Sequence, residues 1–195
     1  MGDLTTLALV KAYANITGTD SGRDAVLEDL IDGASAQMEN YLHRIITSAT
    51  YTSEKIDGNH FTDSLILKNY PVTTFTSLTE NGVAVSAATF DVDMDAGIIY
   101  RVAGSWWTSD GVTAGWISGR RIYAATYIAG YTAVPEDLAN ACARQVILEW
   151  KRSGIKGDRI GLVTTQLSDG STATYSKDAW AEGVQEVLDQ YRRVM

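Results

Sequence analysis

The chain has 195 residues, 45% of them hydrophobic and 21% charged, and a formal net charge of −8. That length and apolar content suit one domain, or one domain with an insertion, and exclude a chain disordered by composition. The acidic balance argues against a broad grip on nucleic-acid phosphates, while remaining compatible with an acidic channel wall past which DNA slides.

Thr5 or Thr6 can cap a short helix through Leu7, Val10, Lys11 and Ala14. A polar, glycine-broken loop, Thr17 to Gly22, follows. Leu27, Leu30, Ile31, Ala34, Met38, Tyr41 and Leu42 then recur on one face, which predicts an amphipathic helix with Asp24, Glu28 and Asp29 favourably placed in its first turns. From about Thr50 the period becomes strand-like. Tyr51 to Ile56 alternates and runs into Asp57-Gly58-Asn59, a hairpin signal; Leu65 to Leu67 is an apolar burst; Pro71 marks an edge or a strand start. Thr73 to Thr79 leads into a second hairpin signal, Glu80-Asn81-Gly82. Phe90, Val92 and Met94 alternate with Asp91, Asp93 and Asp95, and Ala96-Gly97 turns the chain into Ile98 to Val102. Ser105 to Gly119 reads as a long tryptophan- and glycine-rich loop or ragged hairpin, and Arg121 to Ile128 as the last strand, broken by Gly130.

Pro135 suits the first position of a helix running to about Arg152, with Glu136 and Asp137 behind it. Its apolar positions go most of the way round, so it packs against several neighbours. Residues 155–175 are polar and read as flexible, with one short strand at Ile160 to Thr165. A final helix is expected from about Ser176, carrying Trp180, Val184, Val187, Leu188 and Tyr191. The fold class is therefore α+β: a helical bundle of two N-terminal and two C-terminal helices with an inserted antiparallel β module. The expected divisions are 1–48, 49–132 for the β module, and 133–195 with the flexible segment inside it.

The motifs that carry chemistry are few. The lone Cys142 excludes an internal disulfide and lies on an apolar helical stretch, where it reads as a buried small side chain. Asp91-Val92-Asp93-Met94-Asp95 begins like a calcium loop, but Ala96 and Val102 stand where such a loop needs glycine and glutamate, so a solvent-facing strand edge is the better reading. With His43 and His60 the only histidines, no nucleotide-binding glycine pattern and no nucleophile elbow, we expect no catalytic, cofactor or metal site. Trp106, Trp107 and Trp116 fit three roles: an interface, packing of the β module, or a sugar-stacking platform. No apolar run reaches the ~18 residues of a membrane span, and Met1 to Thr6 lacks a signal-peptide pattern, which points to a chain that is cytosolic when made. Gly2 with Thr6 fits a myristoylation pattern too short and common to carry weight.

The order of several short phrases is more telling than any one of them. Leu4 to Ile16, Tyr41-Leu42-His43-Arg44, Leu67 with Tyr70-Pro71-Val72, and Asp91 through Ile98-Ile99-Tyr100-Arg101 come first. Tyr127-Ile128-Ala129-Gly130-Tyr131, Pro135-Glu136-Asp137-Leu138 and the closing Tyr191-Arg192-Arg193 complete the series. In this order the chain resembles the head–tail adaptor (connector, head-completion) family of tailed bacteriophages over nearly its whole length. The resemblance implies a non-enzymatic structural virion protein that forms a ring, typically dodecameric, under the portal after DNA packaging and joins capsid to tail. The implied partners are the portal protein, a stopper or tail-completion protein, other copies of the chain, and genomic DNA passing through the channel without specific binding. The implied location is the virion's head–tail interface, after assembly in the host cytoplasm, with no membrane involved. Carried onto this chain, Trp180, Tyr191, Arg192 and Arg193 become candidate portal contacts, and Trp106, Trp107 and Trp116 candidate subunit or tail-side contacts. The alternative is a carbohydrate-binding β module of a phage tail or cell-surface protein, which sugar-induced quenching of tryptophan fluorescence would reveal.

Overall fold

The computed structural model of the chain describes residues 2–59, 62–102, 115–153, 164–166, 172–174 and 179–192. Its architecture is α+β, and the chain divides into two compact units: Met1–Thr47 with Ala133–Met195, and Ser48–Thr132.

In the first unit, helix α1 (Leu7–Tyr13) starts where the Thr6 hydroxyl accepts the Leu9 N–H at 3.3 Å. Helix α2 (Ser21–Leu42) starts where the Asp20 carboxylate accepts from Gly22 and Arg23. Both caps supply acceptors to first-turn N–H groups that have no helical partner. Lys11 Nζ lies 2.6 Å from Asp24 Oδ2 and ties the two helices together. The buried stripe of α2 is Leu27, Ile31, Ala34, Met38 and Leu42, as the apolar spacing predicts, and the helix ends on His43 in the left-handed region (φ 55°). Helix α3 (Glu136–Ser153) follows Pro135, whose carbonyl accepts the Ala139 N–H. It packs against α1, α2 and helix α4 (Val184–Tyr191), which accounts for burial of Leu138, Ala141, Cys142, Ala143 and Val146 around its circumference. The start of α4 corrects the expected helix from Ser176: Gly183 adopts φ 74°, a left-handed conformation that interrupts any longer helix, so Trp180 precedes α4.

The second unit is built from β1 (Ala49–Gly58), β2 (Ser64–Ile66), β3 (Val72–Glu80), β4 (Val83–Ala84), β5 (Phe90–Asp93), β6 (Ile98–Arg101) and β7 (Gly119–Ala129). These form two antiparallel sheets, in the orders β1-β7-β3-β4 and β2-β6-β5. Asn81 and Gly82, both at positive φ, make the two-residue turn between β3 and β4 that the sequence predicts. The Asp93 carboxylate accepts the N–H groups of Asp95 and Ala96 and so holds the β5–β6 turn. Asp57-Gly58-Asn59 is not a hairpin. The partner of β1 is the distant β7, and Gly58 pairs with Gly119. Its glycine serves close approach instead, since a Cβ there would lie 2.0 Å from the Ile117 carbonyl oxygen and 2.6 Å from the Tyr123 ring.

The core of this unit joins Ile56, Leu65, Leu67, Val72, Leu78 and Ile99 to the rings of Trp116, Tyr123 and Tyr127. Trp116 is fully buried, edge-on to Tyr123 at 5.2 Å, with its indole N–H donating to the Asp63 carbonyl at 2.8 Å and the Arg101 guanidinium over its face. Of the three roles open to that residue, packing is the one it fills, and it has no exposed surface to lend a contact. Trp106 and Trp107 lie outside the described residues. The first unit also contains a small antiparallel pair, β8 (Thr164–Gln166) with β9 (Thr172–Thr174), where one strand at 160–165 is expected; the remainder of 155–175 is outside the described residues.

Two glycines separate packing from propensity. Gly58→Ala is expected to destabilise the protein by about 3 kcal/mol through overpacking. Gly33→Ala, exposed on α2 with open space at its Cβ, should stabilise it by up to about 1 kcal/mol. Urea unfolding of the two variants checks both signs.

Candidate interaction site

Gln145, 1% exposed on α3, shapes the region around α4. Its Nε2 donates to the Ala179 carbonyl at 3.1 Å and to Glu149 at 2.9 Å, while its Oε1 accepts the Ala181 N–H at 2.9 Å. The side-chain amide thereby meets both the acceptor and the donor of a short bend, a pairing that a buried amide needs. Val184 and Leu188 anchor α4 beneath.

The bend delivers Trp180 to Tyr41, near the end of α2, where the rings meet edge to face at 5.4 Å and 69°. The Tyr41 hydroxyl donates to Asp189 at 2.6 Å, and the Arg192 guanidinium lies 5.0 Å from the Tyr41 ring centroid. Donation to Asp189, reinforced by burial and by the carboxylate's charge, raises the Tyr41 pKa above its ordinary value of 10.0. Trp180 and Arg192, proposed from the sequence as contacts, are thus brought together on one tyrosine. Tyr191 is turned elsewhere and donates to the Asp137 carboxylate at the start of α3. Arg193 lies outside the described residues. Sequence reasoning missed Asp189 and Gln145 and gave Tyr41 only a place on an apolar helix face. Its position just before the left-handed helix end, where a side chain sits at the rim of the buried stripe, was the available signal.

Beside this cluster is an open groove of about 830 Å³ lined by Leu148, Ala179, Trp180, Ala181 and Glu182 and by the α4 face carrying Glu186 and Asp189.

Elsewhere, groups with reactive chemistry serve the fold. Cys142 is buried beside Ser35, and burial pushes its thiol up to about 11, so it stays protonated. Asp93, from the acidic strand edge, is occupied by its own turn. Among the described residues no group of three metal-ligating side chains forms, and no helix is long and apolar enough to cross a membrane. Glu39 is 3% exposed; its Oε1 accepts the Ile46 N–H at 3.1 Å and its Oε2 has no partner among the described residues. Burial raises its carboxyl above the ordinary 4.5, with the Ile46 N–H pulling the other way.

A family model described as "Head completion protein" (HCP) matches residues 3–194. The chain belongs to the head completion protein family. Three solved structures resemble this head completion protein. One is a chain of the neck of an empty GTA particle computed with C6 symmetry, 18% identical, with a TM-score of 0.56 over 98% of this chain and 91% of that one. Another is from the neck of a native GTA particle computed with C12 symmetry, 15% identical, TM-score 0.54, covering 100% and 95%. A third, from the virion of a native gene transfer agent (GTA) particle, is 16% identical with a TM-score of 0.51 over the same shares. At these identities the likeness shows a shared fold. No curated protein matches the chain.

Gln145→Leu is expected to lower stability by roughly 1–3 kcal/mol, because the backbone groups it serves lose their partner while Ala179 stays accessible to water. A thermal-melt comparison checks it. For Glu39 the folded state holds the proton more tightly than the unfolded state, so its contribution to stability is lost as pH rises from 4.5. Glu39→Gln should therefore raise the unfolding midpoint at pH 7 and converge on wild type below pH 4.5, measured as melting curves across pH.

Proposed function

We propose that this chain is a head–tail adaptor: a non-enzymatic structural protein of the virion that assembles as a ring under the portal after DNA packaging and joins the capsid to the tail. The observation that carries this reading is the head completion family match across residues 3–194. A fold shared with neck proteins over nearly the whole length supports it, and a relative's neck computed with C12 symmetry favours a twelve-copy ring. The net charge of −8 suits a channel wall along which DNA passes without specific binding. In this reading the portal protein meets the helical unit, with Trp180, Tyr191, Arg192 and Arg193 as contacts. A stopper or tail-completion protein takes the opposite side, and Trp106 and Trp107 belong to the subunit or tail-side contacts of an inserted β module. The subunit is made in the host cytoplasm and ends at the head–tail interface. The carbohydrate reading loses support because the buried ring of Trp116 has no face to offer a sugar.

The test is co-sedimentation of the purified chain with DNA-filled, tailless heads of the source phage. Saturable binding at about a dozen copies per head is the expected result, in line with closed-ring assembly. Failure to bind heads that still accept tails would overturn the reading.

A further inference from the structure

The groove beside α4 has a chemical character that narrows what fits it. Its floor is apolar, from Leu148, Ala179, Trp180 and Ala181, and its α4 side carries Glu182, Glu186 and Asp189; among the described residues that line it there is no lysine or arginine, and the nearby Arg144 guanidinium lies 3.9 Å from where a Gly183 Cβ would stand. Asp189 already accepts the Tyr41 hydroxyl, but Glu182 and Glu186 are exposed and carry charge outward. The wall is preorganised, since the two-ended hydrogen bonding of Gln145 fixes the 179–181 bend before any partner arrives. Gly183 at the start of α4 has no side chain to cap the helix, and the Val184 N–H is taken by the Ala181 carbonyl of the same bend at 3.0 Å.

These features match one kind of occupant. We propose that the groove receives an extended protein segment of basic–apolar character: an aliphatic or aromatic side chain on the Leu148–Trp180 floor and lysine or arginine against Glu182 and Glu186. Charge complementarity selects the basic residues, and the continuity of the groove with the Tyr41–Trp180–Arg192 cluster places the segment within the candidate contact surface. This rests on the adaptor reading for the identity of the partner, which would present such a segment toward the ring.

The test uses the full chain and a fluorescein-labelled peptide of alternating lysine and leucine, with a glutamate–leucine peptide as its counterpart, followed by fluorescence anisotropy at low and high salt. Wild type should bind the basic peptide in a salt-sensitive way and ignore the acidic one. Glu182→Lys with Glu186→Lys should weaken binding about tenfold or more. Glu28→Lys with Asp29→Lys, an equal charge change on the exposed face of α2, should leave it within about twofold, and melting curves verify that each variant is folded. Absence of peptide binding by wild type, or equal weakening by both variant pairs, overturns the proposal. The head co-sedimentation of wild type stands apart from this assay: heads bound without peptide binding sink the groove and spare the adaptor, and the reverse result sinks the adaptor alone.

Discussion

The approach to α4 in the helical unit is organised by the need to satisfy one buried amide. α3 touches three other helices and therefore has little face left for water, yet it carries Gln145 at 1% exposure. A buried amide without partners costs more than its hydrogen bonds return, so some backbone has to come to it. The Ala179 carbonyl and the Ala181 N–H do so, which fixes the bend ahead of α4. From that bend follow the late start of α4, the left-handed Gly183 and the delivery of Trp180 onto Tyr41. The wall of the groove is a consequence of the same two hydrogen bonds.

This chain of dependence explains which parts of the fold were legible in the sequence. Elements whose signal is local were readable: the apolar stripe of α2, the acidic start of α3, and the Asn81-Gly82 turn, where positive φ at both positions restricts the residue types. Elements set by distant partners were not. Asp57-Gly58-Asn59 carries a hairpin's residues, yet β1 pairs with β7 across more than half of the β unit, and only the approach of Ile117 and Tyr123 explains the glycine. The Ser176 start for the last helix failed for the same reason, because the apolar spacing through Trp180 and Val184 contains no trace of an amide arriving from α3.

The candidate site shows the same division. Trp180 and Arg192 stood out in the sequence as an aromatic and a cation near the end of the chain, and the structure joins them through Tyr41. That tyrosine, more than a hundred residues upstream, reads in sequence as one more apolar position of a helix. Asp189 reads as one more surface acid, although it takes the Tyr41 proton's hydrogen bond. Trp116 failed in the opposite direction: a tryptophan in a glycine-rich stretch looked available for contact, but its indole N–H finds a carbonyl inside the β unit and its ring can therefore be buried at no polar cost.

The two sets of aromatic residues also differ in how their polar atoms are spent. In the β unit, Tyr127 donates to Glu54, Tyr123 lies between Ile117 and Glu80, and Trp116 donates to Asp63, so each ring is locked by a partner within the same unit. Burial raises the pKa values of Tyr123 and Tyr127, and their acidic neighbours add to the effect, keeping both hydroxyls protonated as donors. In the helical unit, Tyr41, Trp180 and Arg192 meet at a boundary where Trp180 is half-buried and Arg192 exposed, with carboxylates alongside. Rings locked on all sides stabilise a module. Rings held from beneath and open on one face, next to exposed carboxylates, are the arrangement that binding energy concentrates on in protein interfaces, because they present large apolar area that is already ordered before the partner arrives.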